Sequence, residues 1–121
     1  MNLSQRERRK YPRTIAKIPL KIRHQQQEIV TATHDISCIG VYCTIEQYIE
    51  PFCRLSIVLS LPGSKSFIQC QGIVVRTEKN EEVVNHRKSY SIAIFFNEMK
   101  PRDRAKLMRY VQSQIYPCEP R

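Results

Sequence analysis

The sequence predicts an all-β dominated domain: a small antiparallel barrel of five or six strands with one C-terminal α-helix. Three observations predict it. Apolar and polar residues alternate along several short stretches, turn-forming residues separate those stretches, and only the last segment changes to helical spacing. A chain of 121 residues fits one domain.

The first strand spans Ala16 to Arg23, where Ala16, Ile18, Leu20 and Ile22 share one face and mostly charged residues the other. Pro19 has no amide to donate, which places this stretch at a sheet edge or turns that position away from its neighbour. Gln25, Gln26 and Gln27 connect it to a second strand at about Ile29 to His34. The stretch Asp35 to Gly40 forms a turn that feeds the short strand Val41 to Thr44, β-branched and aromatic in character. Glu50-Pro51 breaks the chain before Leu55 to Leu61, and Pro62-Gly63 ends that strand.

Phe67 to Arg76 is a further strand, in which Gly72 marks a bulge, a bend or a close backbone approach. The polar stretch Thr77 to Ser89 is expected to be an exposed hairpin loop, and Tyr90 to Phe96 alternates strongly as the last strand. Leu107, Met108, Val111 and Ile115 then recur at helical spacing, with Pro101 suited to a first turn and Asp103 near the positive end of the dipole. A helix of about fifteen residues capping an open end of the barrel is expected.

Hydrophobic residues make up 41% and charged residues 26%, enough for a core and inconsistent with a disordered chain. The net charge of +9 favours anionic partners. Much of it is concentrated: Arg6, Arg8, Arg9, Lys10 and Arg13 stand against Glu7 alone in the first thirteen residues. Five cysteines, an odd number, follow no apolar leader, so reduced thiols and a cytoplasmic location are expected. They lack Cys-x-x-Cys spacing, which argues against structural zinc, and Cys43, Cys53 and Cys70 suit small apolar core positions. No apolar run approaches the roughly 20 residues a bilayer requires, so the protein is not expected to be membrane-embedded.

Two segments carry the binding chemistry. In Arg8-Arg9-Lys10-Tyr11-Pro12-Arg13, Pro12 fixes its own φ and biases Tyr11 toward extended geometry, so Arg9 and Arg13 are presented from a restrained arm. A guanidinium fork matches phosphate oxygens and the O6/N7 edge of guanine, and its flat face can stack on a base. In Asp35-Ile36-Ser37-Cys38-Ile39-Gly40, the short polar side chains can cap the turn's own amides, and Gly40 permits positive φ or a close ligand approach. A carboxylate there can accept from guanine N1 and N2 hydrogens, while a hydroxyl and turn amides suit a phosphate. Taken separately, the first segment is better described as a solvated basic tail and the second as a self-capped turn.

Together, Arg9-x-x-x-Arg13 and Asp35-x-Ser37-x-x-Gly40 resemble the two signature motifs of PilZ domains, in the family's order. The resemblance runs from about Gln5 to Gln114 and includes Leu55 to Pro62, Gly72 to Arg76, Tyr90 to Phe96 and the helix with Leu107, Tyr110 and Val111. It implies a six-stranded antiparallel β-barrel whose N-terminal arm wraps over bound cyclic di-GMP. It further implies that Arg9 and Arg13 hold phosphate and the guanine Hoogsteen edge, opposite a wall of Asp35, Ser37 and Gly40. Arg8 is expected to stack on a base and favour a ligand dimer. One departure is Ala93, where the family often carries Gly.

The implied organisation is a basic arm over residues 1–15, a PilZ-like barrel with its helix over 16–116, and a short tail over 117–121. The implied role is a non-enzymatic cyclic di-GMP receptor or adaptor without a cofactor, engaging a downstream protein that controls motility, exopolysaccharide or virulence. His34 beside Asp35 and near Cys38 lacks a third group to complete a catalytic triad. Two alternatives stand beside this one: a small basic barrel that binds RNA or DNA, and a PilZ-like protein acting only through protein contacts. The helix cations Lys100, Arg102, Arg104, Lys106 and Arg109 are expected on a solvated outer face.

Overall fold

In a computed structural model, which describes residues 11–81 and 87–116, seven antiparallel strands precede one helix. The strands are β1 (Arg13–Ile15), β2 (Pro19–His24), β3 (Gln27–Ser37), β4 (Gly40–Ile45), β5 (Arg54–Leu59), β6 (Ile68–Lys79) and β7 (Tyr90–Met99). The helix α1 covers Pro101–Ile115. Neighbouring strands run in the order β1-β3-β2-β5-β6-β7-β4, and β4 pairs back onto β3. That last pairing closes β2 to β7 into a six-stranded barrel, with β1 as a short additional strand on β3. Closure leaves no free edge among the six.

The inward faces follow from the alternation in the sequence. Leu20, Ile22, Ile36, Val41, Cys43, Leu55, Ile57, Leu59, Ile68, Val74, Ile92, Ile94 and Phe96 form one buried cluster. Each large aliphatic side chain fully buried in this way contributes about 1.5–3 kcal/mol. Cys43 and Cys70 are buried in the same cluster, Cys53 packs against it, and Cys38, Cys43, Cys53 and Cys70 are free thiols.

Helix α1 sends Leu107 and Val111 into this core. It lies over the barrel end where β3 turns into β4 and β7 runs into the helix, because Arg104 donates to the carbonyls of Cys38 and Phe96. Lys106 donates to Ser66 in the β5–β6 connection at the same end. Lys100 caps the helix without a side-chain bond, Pro101 occupies the first turn and Asp103 sits near its positive end.

Several expectations change in detail. Pro19 does not mark an edge, because β2 lies between β3 and β5. Its position at the first residue of β2 removes the conflict: only its carbonyl is used there, accepting from the Ser60 amide at 3.2 Å. Strand β3 begins earlier than expected and runs on through Asp35, Ile36 and Ser37, so the turn shrinks to Cys38 and Ile39. The hidden reason is a bulge at His34 between the pairs Thr33–Cys43 and Asp35–Tyr42, which interrupts the period of two. Strands β6 and β7 extend to Lys79 and Met99 for a similar reason, with bulges between Gln71 and Gly72 and between Val74 and Arg76.

Gly72 sits at one of those bulges. A Cβ there would come within 2.6 Å of the Ile94 side chain and 2.7 Å of Ile57, so the barrel wall closes over this point. The helix cations also divide. Lys100, Arg102 and Arg109 are exposed, whereas Arg104 and Lys106 are half-buried and bonded to the barrel, contrary to the expectation of a uniformly solvated face.

Candidate functional site

Strand β1 pairs with the end of β3 in the register Arg13–Ser37, Thr14–Ile36 and Ile15–Asp35. This short ladder is what carries the arm's last arginine to the Asp35–Gly40 segment. Arg13 Nη1 donates to Asp35 Oδ1 at 2.9 Å, with the two side chains 37% and 27% exposed. A half-exposed pair of this kind keeps donors and acceptors free to face a ligand. One guanidinium N–H is used, four remain, and the second carboxylate oxygen has no partner in this contact.

Ser37 and Gly40 stand differently. Ser37 is buried, its hydroxyl accepts from the Ile39 amide at 3.2 Å, and it lies 3.5 Å from the Gly40 carbonyl, to which it donates. The hydroxyl therefore caps the turn itself. Gly40 pairs with Phe95 of β7, and a Cβ there would lie 2.5 Å from the Ile94 carbonyl oxygen. Its smallness lets β4 and β7 approach. The turn is held further by the Ile39 carbonyl, which accepts from Phe96 N–H at 2.7 Å, and by Arg104 Nη1, which donates to the Cys38 carbonyl at 2.7 Å.

A platform adjoins this corner on the outer wall. Tyr42, paired with Asp35 on one side and Ala93 on the other, has the His34 ring centroid 5.9 Å away and the Arg76 guanidinium 5.8 Å from its own ring centre. Arg76 in turn pairs with Ala93, so Asp35, Tyr42, Ala93 and Arg76 form one cross-strand row. His34 Nε2 lies 2.7 Å from Thr44 Oγ1, which fixes the imidazole beside the tyrosine. The methyl of Ala93, half-buried in this row, replaces the hydrogen of the family's frequent glycine.

The structure thus brings together Arg13, Asp35, Ser37 and Gly40, while Arg8 and Arg9 lie outside the described residues. Sequence reasoning missed Arg76 and Arg104. Arg76 occupies the position after a bulge, where alternation no longer tells which face a side chain takes. Arg104 looks like any helix cation until the turn it reaches is known.

A family model described as PilZ domain matches residues 7–113. The chain belongs to the PilZ domain family. Among solved structures, it is similar to the inhibitor of motility MotI/DgrA of Bacillus subtilis, at 20% identity and a TM-score of 0.75, over 93% of this chain and 54% of that one. It is similar to the PilZ domain of YcgR from Escherichia coli, solved with cyclic di-GMP, at 14% identity and a TM-score of 0.70, over 89% and 92%. A third is the MrkH–cyclic di-GMP complex of K. pneumonia, at 18% identity and a TM-score of 0.73, over 89% and 52%. The chain spans about half the length of MotI and MrkH. No curated protein matches the sequence. The PilZ fold with its closed barrel and C-terminal helix is therefore the one the sequence led us to expect, with β1 added.

Among the described residues no helix is long and apolar enough to cross a membrane, and no cluster of His, Cys, Asp or Glu is arranged to hold a metal ion.

Proposed function

We propose that this PilZ domain is a non-catalytic receptor for cyclic di-GMP that passes the signal to a downstream protein. The observation that carries this reading is the Arg13–Asp35 pair, two residues 22 positions apart in the chain and joined at 2.9 Å on a half-exposed face. An arginine fork and a carboxylate side by side offer opposite complements to one nucleotide. The guanidinium serves phosphate oxygens or the guanine O6/N7 edge, and the carboxylate accepts from guanine N1 and N2 hydrogens. The turn Ser37–Gly40, capped from within, supplies a rigid wall, and Tyr42 with Arg76 supplies a flat surface for a base.

Membership of the family and the cyclic di-GMP complexes of YcgR and MrkH support the choice of ligand. Arg8 and Arg9, on the same arm as Arg13, are assigned to it as well: Arg9 to phosphate and guanine, Arg8 to stacking on a base of a second, intercalated ligand molecule. The arm, residues 1–15, changes conformation on binding, and the barrel and helix over 16–116 present the altered surface in the cytoplasm. The reshaped surface acts on motility, exopolysaccharide or virulence through its protein partner.

The test is isothermal calorimetry with cyclic di-GMP beside cyclic di-AMP and GTP. Binding of the guanine dinucleotide alone, with two molecules per chain and no hydrolysis product by chromatography, is the expected result. Equal binding of cyclic di-AMP would overturn the assignment of Asp35 and Arg13 to guanine, and one nucleotide per chain would remove the role given to Arg8.

A further inference from the structure

We propose that the exposed face of α1, where Arg102 and Arg109 stand beside Ala105, Met108 and Gln112, is a docking surface for an acidic amphipathic helix on a partner protein. The proposal rests on the receptor reading above and deepens it, since it names the surface and the partner chemistry through which the signal leaves.

The first observation is a placement of charge that does not serve the helix itself. Arg102, Lys106 and Arg109 recur at spacings of four and three, which sets them within about 60° of one another in a straight stripe about 10.5 Å long. Like charges at these spacings repel. Arg102 also sits in the first turn, at the positive end of the dipole, while the last turn carries no cation. Neither Arg102 nor Arg109 has an ionic or hydrogen-bonded partner among the described residues, and Lys106 is held only by Ser66. A row of cations that costs the helix stability, with no return inside the domain, points to an anion outside it.

The surroundings leave that charge uncancelled. At this end of the barrel stand Lys65, Lys100, Arg102, Arg104, Lys106 and Arg109, six cations against the two acids Glu98 and Asp103, a net of +4. Asp103, the one acidic residue of α1, is turned inward and only 9% exposed. Arg13 and Asp35 cancel each other, and so do Glu119 and Arg121 in the sequence that follows the helix.

The second observation selects the class of anion. Ala105, Met108 and Gln112 lie alongside the stripe at the a and d positions of a heptad, which makes Arg102 and Arg109 its e positions. Met108 is 38% exposed, and Tyr116, which ends the helix on this side, is 69% exposed. Such a seam receives the apolar stripe of a second helix whose flanking positions carry Asp or Glu. A nucleic-acid duplex would use the arginines and leave Ala105 and Met108 idle. A membrane surface would need large apolar side chains on this face, and Leu107 and Val111 are committed to the core. A second copy of this chain would bring two equally basic faces together.

The seam is joined to the candidate nucleotide site. Met108 follows Arg104 by one turn, so it lies on the side of α1 from which Arg104 reaches the Cys38 carbonyl in the β3–β4 turn. The helix also packs beside β1, the strand that carries Arg13. A helix docked on α1 is therefore linked through it to both elements assigned to the ligand.

The probe is a fluorescein-labelled synthetic helix of three heptads with Leu at a and d and Glu at e and g; its mate carries Lys in place of Glu. Anisotropy is measured on the full chain at about physiological ionic strength, with and without saturating cyclic di-GMP. We expect the Glu helix to bind and the Lys helix not to, with nucleotide changing the affinity at least about fivefold. Arg102→Glu combined with Arg109→Glu should weaken binding at least about tenfold, and Met108→Gln should weaken it as well. Arg102→Glu alone should raise the melting temperature, because it suits the dipole and pairs with Lys106, while cyclic di-GMP affinity stays that of the parent chain. Lys79→Glu with Lys88→Glu, the same charge change at the opposite end of the barrel, should leave peptide binding unaltered. An equal loss in that control, binding of the Lys helix, or a peptide affinity indifferent to bound nucleotide would overturn the proposal. Arg102-dependent binding of a DNA duplex or of phosphatidylglycerol vesicles in place of the Glu helix would overturn it in favour of phosphate. Nucleotide binding with no peptide binding sinks the docking surface alone, whereas Arg102-dependent peptide binding by a chain that binds no nucleotide sinks the receptor reading alone.

Discussion

At the scale of single residues, Arg13 and Gly40 act by opposite means, one by what it offers and one by what it lacks. The Arg13 fork is charged, planar and held 2.9 Å from Asp35, so its removal should cost one or more charge-assisted bonds to the ligand and leave Asp35 without its counterion. Such bonds are worth about 1.5–3 kcal/mol each. Arg13→Ala should accordingly raise the dissociation constant for cyclic di-GMP at least about tenfold by calorimetry. Arg13→Lys should fall between, because it keeps charge and loses the fork; an affinity unchanged in Arg13→Ala would remove the arm from the site. Gly40 matters through the Ile94 carbonyl 2.5 Å from where a Cβ would stand, an atom that cannot yield without parting β4 from β7. Gly40→Ala should therefore lose about 1–3 kcal/mol in urea denaturation. Gly72→Ala should lose a comparable amount, since its nearest obstacles, Ile94 Cγ2 and Ile57 Cδ1, belong to side chains buried in the packed core.

At the scale of elements, the β3–β4 turn is a small assembly built from three distant places. Ser37 caps it, Phe96 on β7 donates to Ile39, and Arg104 on α1 donates to Cys38 from 66 residues away. Arg104→Ala should then weaken cyclic di-GMP binding although its side chain points at the turn and not at the Arg13–Asp35 face. Arg104→Lys, able to reach one carbonyl, should recover part of it. Proton–nitrogen spectra should show the perturbation centred on Cys38 to Gly40; a shift pattern confined to α1 would mean that the arginine only anchors the helix. The same turn shows what the sequence disclosed. The alternation of Leu20 and Ile22, Ile57 and Leu59, or Ile92 and Ile94 disclosed the strands, because each pairs in unbroken register with at least one neighbour, Ile92 and Ile94 with β4. Where a bulge intervenes, at His34 or Val75, the period of two slips by one residue and the outward side chains Asp35 and Arg76 lose their signature. The Arg13 and Asp35 chemistry was readable from their types and order. The docking of β1 on β3 was not, since three residues carry too little pattern to announce a strand, and the inward turn of Ser37 depends on a capping bond that spacing alone does not reveal.

At the scale of the whole molecule, burial and net charge set responses to pH and salt that test the fold and the function separately. Burial holds the Cys43 and Cys70 thiols up to about 12, against an ordinary value of 9.0. Because the unfolded thiols release protons at lower pH than the folded ones, their contribution to stability is complete below about pH 9 and is lost as pH rises toward 12. Urea midpoints should fall across that window, and Cys43→Ala, though less stable at neutral pH, should show a shallower fall. The net charge of +9 decides a different question, whether the chain's anion is a dinucleotide or a nucleic acid. Each phosphate neutralised lowers log K by about 0.9 per decade of salt on B-form DNA. A ligand with two phosphates should therefore lose only about tenfold between 50 and 200 mM salt, whereas a polymer contacted at six or more phosphates loses about a thousandfold or more. We expect the shallow slope for cyclic di-GMP, together with indifference to single-stranded RNA at 200 mM. A steep slope shared by RNA and DNA of unrelated sequence would assign the basic excess to polyanion binding, and the pairing of Arg13 with Asp35 would then be left as an exposed ion pair on a strand edge, of little worth on its own.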